Sequence, residues 1–193
     1  MSDRSTMVAA TAAPADEDSS VRGALLSYRD FRIEPHHCFA CGELNEHGLH
    51  LRLQLTSGRC RVELTLPRNF EGWEGLIHGG IVCTILDEVM AWALVERDTW
   101  GVTARMSADF RRPVLVGQAI RAEGWIVEDK RRIQRTAGRI VDAETGAELA
   151  VAEATYVAAS DARKRELKNR YAPAVQAVPG AAAPAAPASA ESR

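Results

Sequence analysis

The chain has 193 residues, of which 46% are hydrophobic and 26% are charged, and its formal net charge is −2. This length suits one domain with a sizeable core, and the nearly balanced charge gives no electrostatic reason to expect a nucleic-acid or acidic-membrane partner. No apolar run approaches the roughly 20 residues that span a bilayer, and the N-terminus lacks the basic and then apolar pattern of a secretory signal. We therefore expect one cytoplasmic domain that acts on a small molecule, with no membrane partner.

The two ends of the chain differ in composition from its middle. Residues 1–20 are rich in small and acidic residues without periodicity, and residues 172–193 form an Ala/Pro-rich tract. Both are expected to be disordered tails. The ordered domain is expected to cover residues 21–160, with an N-terminal extension over residues 21–48 that begins with a short helix at residues 21–30.

The middle of the chain alternates strand-like segments with one long apolar segment. Residues 49–55 and 61–66 each alternate apolar and polar side chains, and the Thr-Ser-Gly-Arg turn between them predicts a hairpin. Residues 77–95 are too long for a strand and predict a buried helix. Four strands and a short charged helix are predicted after it, over residues 102–111, 119–128, 132–141, 147–158 and 161–171. This order is typical of an α+β domain in which an antiparallel sheet packs around one helix.

The predicted long helix carries two acidic residues on a largely apolar surface. At 3.6 residues per turn, Asp87 shares its face with small residues, so there is room beside its carboxylate for a ligand or a water. These small residues are Gly80, Cys83, Thr84 and Ala91. Glu88 lies about 100° further round, which suits a salt bridge or an interface contact. The spacing is equally compatible with two acids that are only solvated or paired with arginines.

The triplet His78-Gly79-Gly80 lies where this helix is predicted to begin. Two glycines let a substrate oxygen approach the backbone, and the unpaired N–H groups at the positive end of the helix dipole favour an anion or an oxyanion. Glycine pairs are also common at loop-to-helix junctions for structural reasons. The triplet alone therefore does not establish a site.

The four cysteines form no regular framework, and one of them lies inside the predicted helix, so reduced thiols are expected. Cys38 and Cys41, together with His37, His47 and His50, contain enough ligands for one zinc ion. The spacing from Cys41 to His47 is short, however, and no second cysteine pair follows. We predict no metal site and no cofactor.

Three segments taken together resemble the signature of a known family. They are GWEGLIHGGIVCTILDEVM at residues 72–90, FRRPV followed by Gly117, and CFACG at residues 38–42 with Asn45, Gly48 and Leu49. They resemble the phenylacetate-pathway (PaaI-type) hot-dog thioesterases, and the similarity extends over residues 35–158. The resemblance implies a hot-dog fold, in which a curved antiparallel sheet wraps around one long central helix. It also implies homodimers or homotetramers with sites at the dimer interface.

The resemblance implies roles for individual residues as well. Asp87 corresponds to the acidic catalytic residue of the family, as general base or nucleophile. Gly79, with Gly80 as a second candidate, corresponds to the backbone donor to the thioester carbonyl, and His78 shapes that loop. Thr103 matches a position whose hydroxyl helps to place water. The implied reaction is hydrolysis of a small or medium acyl-CoA or an aryl-acyl-CoA to the free acid and CoA.

Further residues are candidate substrate contacts. Arg111 and Arg112 could bind the phosphates of coenzyme A, although a solvated strand edge would also explain them. Trp73 lies close enough to the helix start to line a pocket, and Glu88 remains a candidate contact. Glu71 is at the place where the family often carries an amide side chain, which changes how a water would be positioned there.

Two other functions compete with hydrolysis. A hot-dog hydratase or dehydratase would keep the fold and the thioester but would move protons on carbon, and it would need a histidine near Asp87 from another strand. A non-catalytic acyl-CoA binding module would be favoured by an ion-paired and inaccessible Asp87.

Overall fold

The computed structural model describes residues 28–95, 97–171 and 174–175. Its strands are β1 (Arg29–Arg32), β2 (Gln54–Thr56), β3 (Arg59–Thr65), β4 (Gly101–Phe110), β5 (Ala119–Lys130), β6 (Ile133–Asp142), β7 (Glu148–Ala158) and β8 (Ala174–Val175). Its helices are α1 (Gly79–Val95), α2 (Asp161–Tyr171) and a 3-10 turn (Arg68–Phe70). The strands form one antiparallel sheet in the order β4-β7-β6-β5-β3-β2-β1, which the two-residue β8 extends beyond β1. One central helix packed against an antiparallel sheet confirms the predicted α+β hot-dog fold.

Helix α1 packs directly into a hollow of the sheet. Most of its apolar residues are buried, and Ile85, Leu86 and Val89 have no exposed surface. Gly124 of β5 lies opposite Gly138 of β6. A Cβ atom at Gly124 would lie 2.5 Å from the backbone carbonyl carbon of Val89, so only glycine lets the helix come this close to the sheet. The glycine pair therefore sets the depth at which α1 is seated.

Two sequence predictions in the first half of the chain need correction. The predicted strand at residues 49–55 is reduced to Gln54–Thr56, because His50 has a left-handed φ of 49°. The N–H groups of Leu49 and Leu51 instead donate to carbonyls of the preceding loop. The predicted helix at residues 77–95 begins two residues later, at Gly79.

The N-terminal extension also differs from the prediction. Arg29 and Asp30, placed in a short helix by the sequence, belong to β1 and pair with Leu55 and Gln54 of β2. Pairing with a neighbouring strand outweighs local helix propensity here. The described residues exclude residues 1–27 and most of the predicted C-terminal tail at 172–193. Within that tail, Ala174 and Val175 form β8. In the described part of the chain, no helix is long and apolar enough to cross a membrane.

Candidate active site

Two hydroxyl groups hold the carboxylate of Asp87 on helix α1. Thr103 Oγ1 and Tyr156 Oη each donate a 2.8 Å hydrogen bond to Asp87 Oδ1. The Tyr156 hydroxyl also lies 3.1 Å from the Asp87 backbone carbonyl oxygen. Among the described residues, no donor reaches Asp87 Oδ2. One carboxylate oxygen is thus fixed while the other remains available.

The strand register brings these two hydroxyls together. Thr103 of β4 pairs directly with Tyr156 of β7, and a β-bulge follows between Thr103 and Arg105. Tyr156 is only 1% exposed, and a buried tyrosine hydroxyl needs a partner. Burial, and then the charge of Asp87, raise the pKa of Tyr156 above its ordinary value, so the hydroxyl keeps its proton and remains a donor. The sequence predicted Asp87 and Thr103 as site residues, and the structure places them in contact; it did not predict Tyr156, which contacts the same carboxylate.

The start of α1 presents one unpaired backbone donor. His78 Nδ1 accepts a 2.9 Å hydrogen bond from the Gly80 N–H, and the His78 carbonyl accepts from the N–H groups of Ile81 and Val82. Within the described ranges, the Gly79 N–H has no acceptor. Of the two glycine donors that the sequence suggested, Gly79 is the one that remains free to bind a substrate oxygen. His78 acts as the helix cap.

Gly79 and Asp87 are well separated within one chain. They lie eight residues apart on one continuous helix, and a rise of 1.5 Å per residue puts about 12 Å between them along the axis. A thioester group is far smaller than this. A substrate carbonyl that binds Gly79 is therefore out of reach of Asp87 in the same chain.

The candidate substrate contacts fall into different surroundings. Glu71 accepts a hydrogen bond from the Gly75 N–H, so it braces the loop before His78. Trp73 on the same loop is 84% exposed. Arg111 pairs loosely with Asp109, at 3.5 Å, and both side chains are exposed.

The arginines also separate into two groups. Arg111 and Arg112 follow Phe110, whose ring lies 3.5 Å from the position of a Cβ atom built on Gly79. They are therefore close to the start of α1. A second basic group, the turn Lys130-Arg131-Arg132, lies at the other end of β4, because Ile133 pairs with Val157 next to the start of that strand. Only the first group borders the helix start.

Glu88 faces a different environment from its neighbour Asp87. Its Oε1 accepts a 2.9 Å hydrogen bond from the Trp92 indole N–H, and its carboxylate also hydrogen-bonds the Cys41 thiol. Burial, reinforced by the nearby Cys38, raises the pKa of Glu88 to about 7. The structure therefore does not bring Glu88 into the group around Asp87.

The helix that carries Asp87 lies in a segment that matches a known protein family. The sequence model of the thioesterase superfamily matches residues 74–148, which include His78, Gly79, Asp87 and Thr103. Over these residues the chain is similar to the thioesterase superfamily. No curated protein matches the sequence. The superfamily match ends before Tyr156 and begins after the cysteine-containing loop.

Solved structures of superfamily members share the fold. A thioesterase superfamily protein is 28% identical with a TM-score of 0.59, and the match covers 63% of this chain and 60% of that one, so this chain spans less than two thirds of that relative. A hypothetical thioesterase of Streptococcus pneumoniae, solved with coenzyme A, is 19% identical over 54% of this chain and 80% of that one, with a TM-score of 0.52. The PaaI protein of E. coli is 18% identical over 58% of this chain and 81% of that one, with a TM-score of 0.55. Mutants of the pneumococcal protein have alanine at an aspartate and at a threonine 16 positions later.

Proposed function

We propose that the chain is a PaaI-type acyl-CoA thioesterase that hydrolyses a small or medium acyl-CoA or an aryl-acyl-CoA. The observation that carries the proposal is the Asp87 carboxylate. Thr103 and Tyr156 hold its Oδ1, and Oδ2 has no donor in the described part of the chain. A carboxylate fixed through one oxygen and available at the other is well placed to take a proton from water.

The proposed reaction uses Asp87 as a general base. Asp87 Oδ2 removes a proton from a water molecule, whose oxygen forms a bond to the thioester carbon. The Gly79 N–H and the positive end of α1 stabilise the negative charge on the carbonyl oxygen. When the carbonyl re-forms, the C–S bond breaks and the CoA sulfur leaves as a thiolate that takes up the proton. Direct attack by the carboxylate would use the same atoms.

The proposed site combines residues of two subunits. About 12 Å of helix separates Gly79 from Asp87 within one chain, whereas the oxyanion donor and the base must both lie about 3 Å from the reacting groups. Within the described residues, β4 pairs only with β7. Val102 and Phe110 on β4 are 67% and 56% exposed. We propose that β4 pairs with its copy in a homodimer, so that Gly79 of one subunit works with Asp87 of the other.

The proposed coenzyme A contacts are Arg111 and Arg112. Both are exposed and directly follow Phe110, whose ring borders the helix start, and arginine binds phosphate groups through paired hydrogen bonds. Coenzyme A bound to the pneumococcal relative supports a CoA ester as the substrate. Trp73 remains a candidate acyl contact. We propose that Glu71 stabilises the loop before His78 and does not position a water molecule.

The pneumococcal mutants lend support to the catalytic pair. Their aspartate and threonine lie 16 positions apart, and Asp87 and Thr103 have the same separation here. In this chain the two side chains form a direct hydrogen bond. The shared spacing is what two interacting positions on a central helix and its following strand would produce.

Release of free thiol from a panel of acyl-CoA and aryl-acyl-CoA esters tests the proposal. Asp87→Asn should lower kcat by about 10²–10⁴-fold, because a general base contributes this much, while CoA-ester binding and folding persist. Asp129→Asn, at an exposed strand position, is the matched control and should keep full turnover. Unchanged turnover in Asp87→Asn would refute the assignment. Binding without turnover in the wild type would favour a binding module.

Mixing two inactive variants tests the shared site. Gly79→Pro removes the N–H at the first helical position, where proline is tolerated. In a mixed dimer with Asp87→Asn, one of the two sites keeps both an intact Gly79 and an intact Asp87. A statistical mixture should then recover about a quarter of wild-type activity, since half the dimers are mixed and each has one working site. A mixture that stays inactive after subunit exchange would place the complete site in one chain.

Neither rival function is favoured by a specific contact. The groups that donate to Asp87 are hydroxyls, whereas a hydratase would need a histidine there. Asp87 accepts hydrogen bonds from neutral groups rather than from an arginine or lysine, which is the opposite of what a silent, ion-paired carboxylate would show.

A further inference from the structure

A loop outside the superfamily match gathers three metal-binding side chains. It lies between β1 and β2 and has neither helix nor strand. The ligand atoms of His36, Cys38 and Cys41 all lie within 4.8 Å of one another. Long loops of this kind inside a compact domain are uncommon and are usually functional. The loop therefore needs a physical reason for its order.

The backbone of this loop is folded so that the three side chains converge. The Gly42 N–H donates to the Cys38 carbonyl at 2.9 Å, and the Leu44 N–H donates to the His36 carbonyl at 3.0 Å. A Cβ atom at Gly42 would lie 2.4–2.6 Å from backbone atoms of His36 and Cys38. Only glycine fits immediately after the second cysteine, so the tight turn is encoded in the sequence.

His36 presents its second ring nitrogen to the thiols. The ring is buried, and its Nδ1 lies 3.0 Å from the Glu34 carbonyl oxygen, so Nδ1 carries the proton and donates it. In the neutral ring, Nε2 is then the nitrogen that carries the free lone pair, and it lies 3.4 Å from Cys41 Sγ. A histidine that binds a metal typically donates its other N–H to a carbonyl in this way. The neighbouring His37 is exposed and does not belong to the cluster.

Glu88 brings a buried carboxylate to the same place. It hydrogen-bonds the Cys41 thiol, and Trp92 occupies its Oε1. A buried carboxylate is costly unless it is paired, hydrogen-bonded or bound to a metal. Arg170 of α2 lines the same cavity and supplies a positive charge beside a group of anionic ligands.

We propose that His36, Cys38 and Cys41 bind one Zn²⁺ ion, with Glu88 at the fourth position, either directly or through a water molecule. Two thiolates, one imidazole and one oxygen ligand form a tetrahedral set typical of zinc. Binding releases the two thiol protons to solvent and changes no oxidation state. The ion is structural, since it fastens the loop to α1 at the residue next to Asp87.

The ion would also tie α2 to the same region. The Tyr171 ring packs edge-on against the His36 ring, with centroids 5.3 Å apart, and Arg170 donates to the Pro35 carbonyl oxygen at 2.6 Å. A cross-link at His36 would therefore hold the loop between two helices. This proposal differs from the sequence prediction, which considered His37, His47 and His50 as partners of the cysteines and predicted no metal.

Metal analysis of the full-length protein, produced with zinc available and purified under reducing conditions, is the first test. We expect about one zinc per chain, with X-ray absorption giving two sulfur neighbours at about 2.3 Å and one nitrogen at about 2.0–2.1 Å. This measurement needs no variant, so it does not depend on the folding of a mutant. Wild-type protein that binds no zinc on titration, or that contains a Cys38–Cys41 disulfide instead, would overturn the proposal.

Variants then identify the ligands. His36→Gln, Cys38→Ser and Cys41→Ser should lose the zinc, whereas His37→Gln, the adjacent exposed histidine, should keep it. Glu88→Gln should weaken zinc binding by about 10–100-fold, the range for a supporting carboxylate. Zinc retained by both cysteine variants, or lost from His37→Gln but kept by His36→Gln, would show that these residues do not form the site.

Discussion

Asp87 and Glu88 are consecutive residues on one helix, yet they face different chemistry. Asp87 accepts hydrogen bonds from the hydroxyls of Thr103 and Tyr156 on the sheet. Glu88 accepts one from Trp92 and contacts the thiol of Cys41 in the loop between β1 and β2. A helical step of about 100° is enough to separate the two carboxylates. One turn of α1 thus serves a proposed hydrolytic site and a proposed metal site.

The two carboxylates differ in the chemical groups that contact them. Asp87 accepts hydrogen bonds from neutral hydroxyls at one oxygen, and no donor in the described part of the chain reaches the other. Burial, reinforced by the nearby Cys38, raises the pKa of Glu88 to about 7. Three changes would break or sharpen the comparison.

The largest effect is expected from removing the hydroxyls that hold Asp87. Hydrogen bonds to a charged group contribute about 1.5–3 kcal/mol, so Thr103→Val and Tyr156→Phe should each lower kcat by about 10–100-fold. Steady-state kinetics should show little change in KM, and zinc content should be unchanged.

Thr103→Ser is the matched control, because it keeps the hydroxyl and should keep most of the activity. If Thr103→Ser were as slow as Thr103→Val, the methyl group rather than the hydrogen bond would be responsible. A change mainly in KM would move these residues from positioning the base to binding the substrate.

A smaller effect is expected from Gly124→Ala, which alters the contact between β5 and the helix that carries both carboxylates. The new methyl group would meet the backbone of Val89 at 2.5 Å, and such overpacking typically costs about 1–3 kcal/mol of unfolding free energy. Val127→Ala, at an exposed β5 position, should change it by no more than about 0.5 kcal/mol. Denaturant titration measures both. Equal stability of the two variants would mean that α1 can move away from the sheet without cost.

The smallest effect is expected from Asp98→Asn, just after α1. Asp98 contacts Lys164 and Lys168 of α2 at 3.0 Å and 2.9 Å, but exposed pairs contribute at most about 1 kcal/mol. Asparagine tolerates the positive φ of 58° found there, so the variant isolates the charge. Turnover and zinc content should be unchanged.

The pH dependence of the contacts between Asp98 and the two lysines follows from the direction of the Asp98 pKa shift. Hydrogen bonds from Lys168 and Lys164 lower the pKa of Asp98 below its ordinary 3.8. The stabilisation is therefore present above that value and is lost as the pH falls below it. The stability difference between wild type and Asp98→Asn should be measurable near neutral pH and disappear in acid. A difference that persisted in acid would not be electrostatic.

The fold was predictable wherever one periodicity extended over many residues. The long apolar segment at residues 77–95 and the strand-like segments after it predicted a helix against an antiparallel sheet. The prediction was wrong where a few contacts decide the conformation. A left-handed His50 ends the expected strand at residues 49–55, and pairing with β2 turns Arg29 and Asp30 into a strand.

The proposed site could be predicted from the sequence only in part, for a related reason. Asp87, Gly79 and Thr103 lie on a compact stretch of sequence whose spacing is visible. Tyr156 is 69 residues from Asp87, and only the register of β4 with β7 brings it there. Likewise, the choice of His36 over His37 depends on a tight turn at Gly42, which no repeating pattern reveals.

The length of helix between Gly79 and Asp87 has a consequence for how this protein behaves in dilute solution. If one turnover needs groups from two chains, a separated chain has no working site, and mass action governs catalysis. Specific activity should then fall on dilution below the dissociation constant of the pair and return on concentration. The amount of protein made in a cell would set both the number of sites and the fraction of them that are complete.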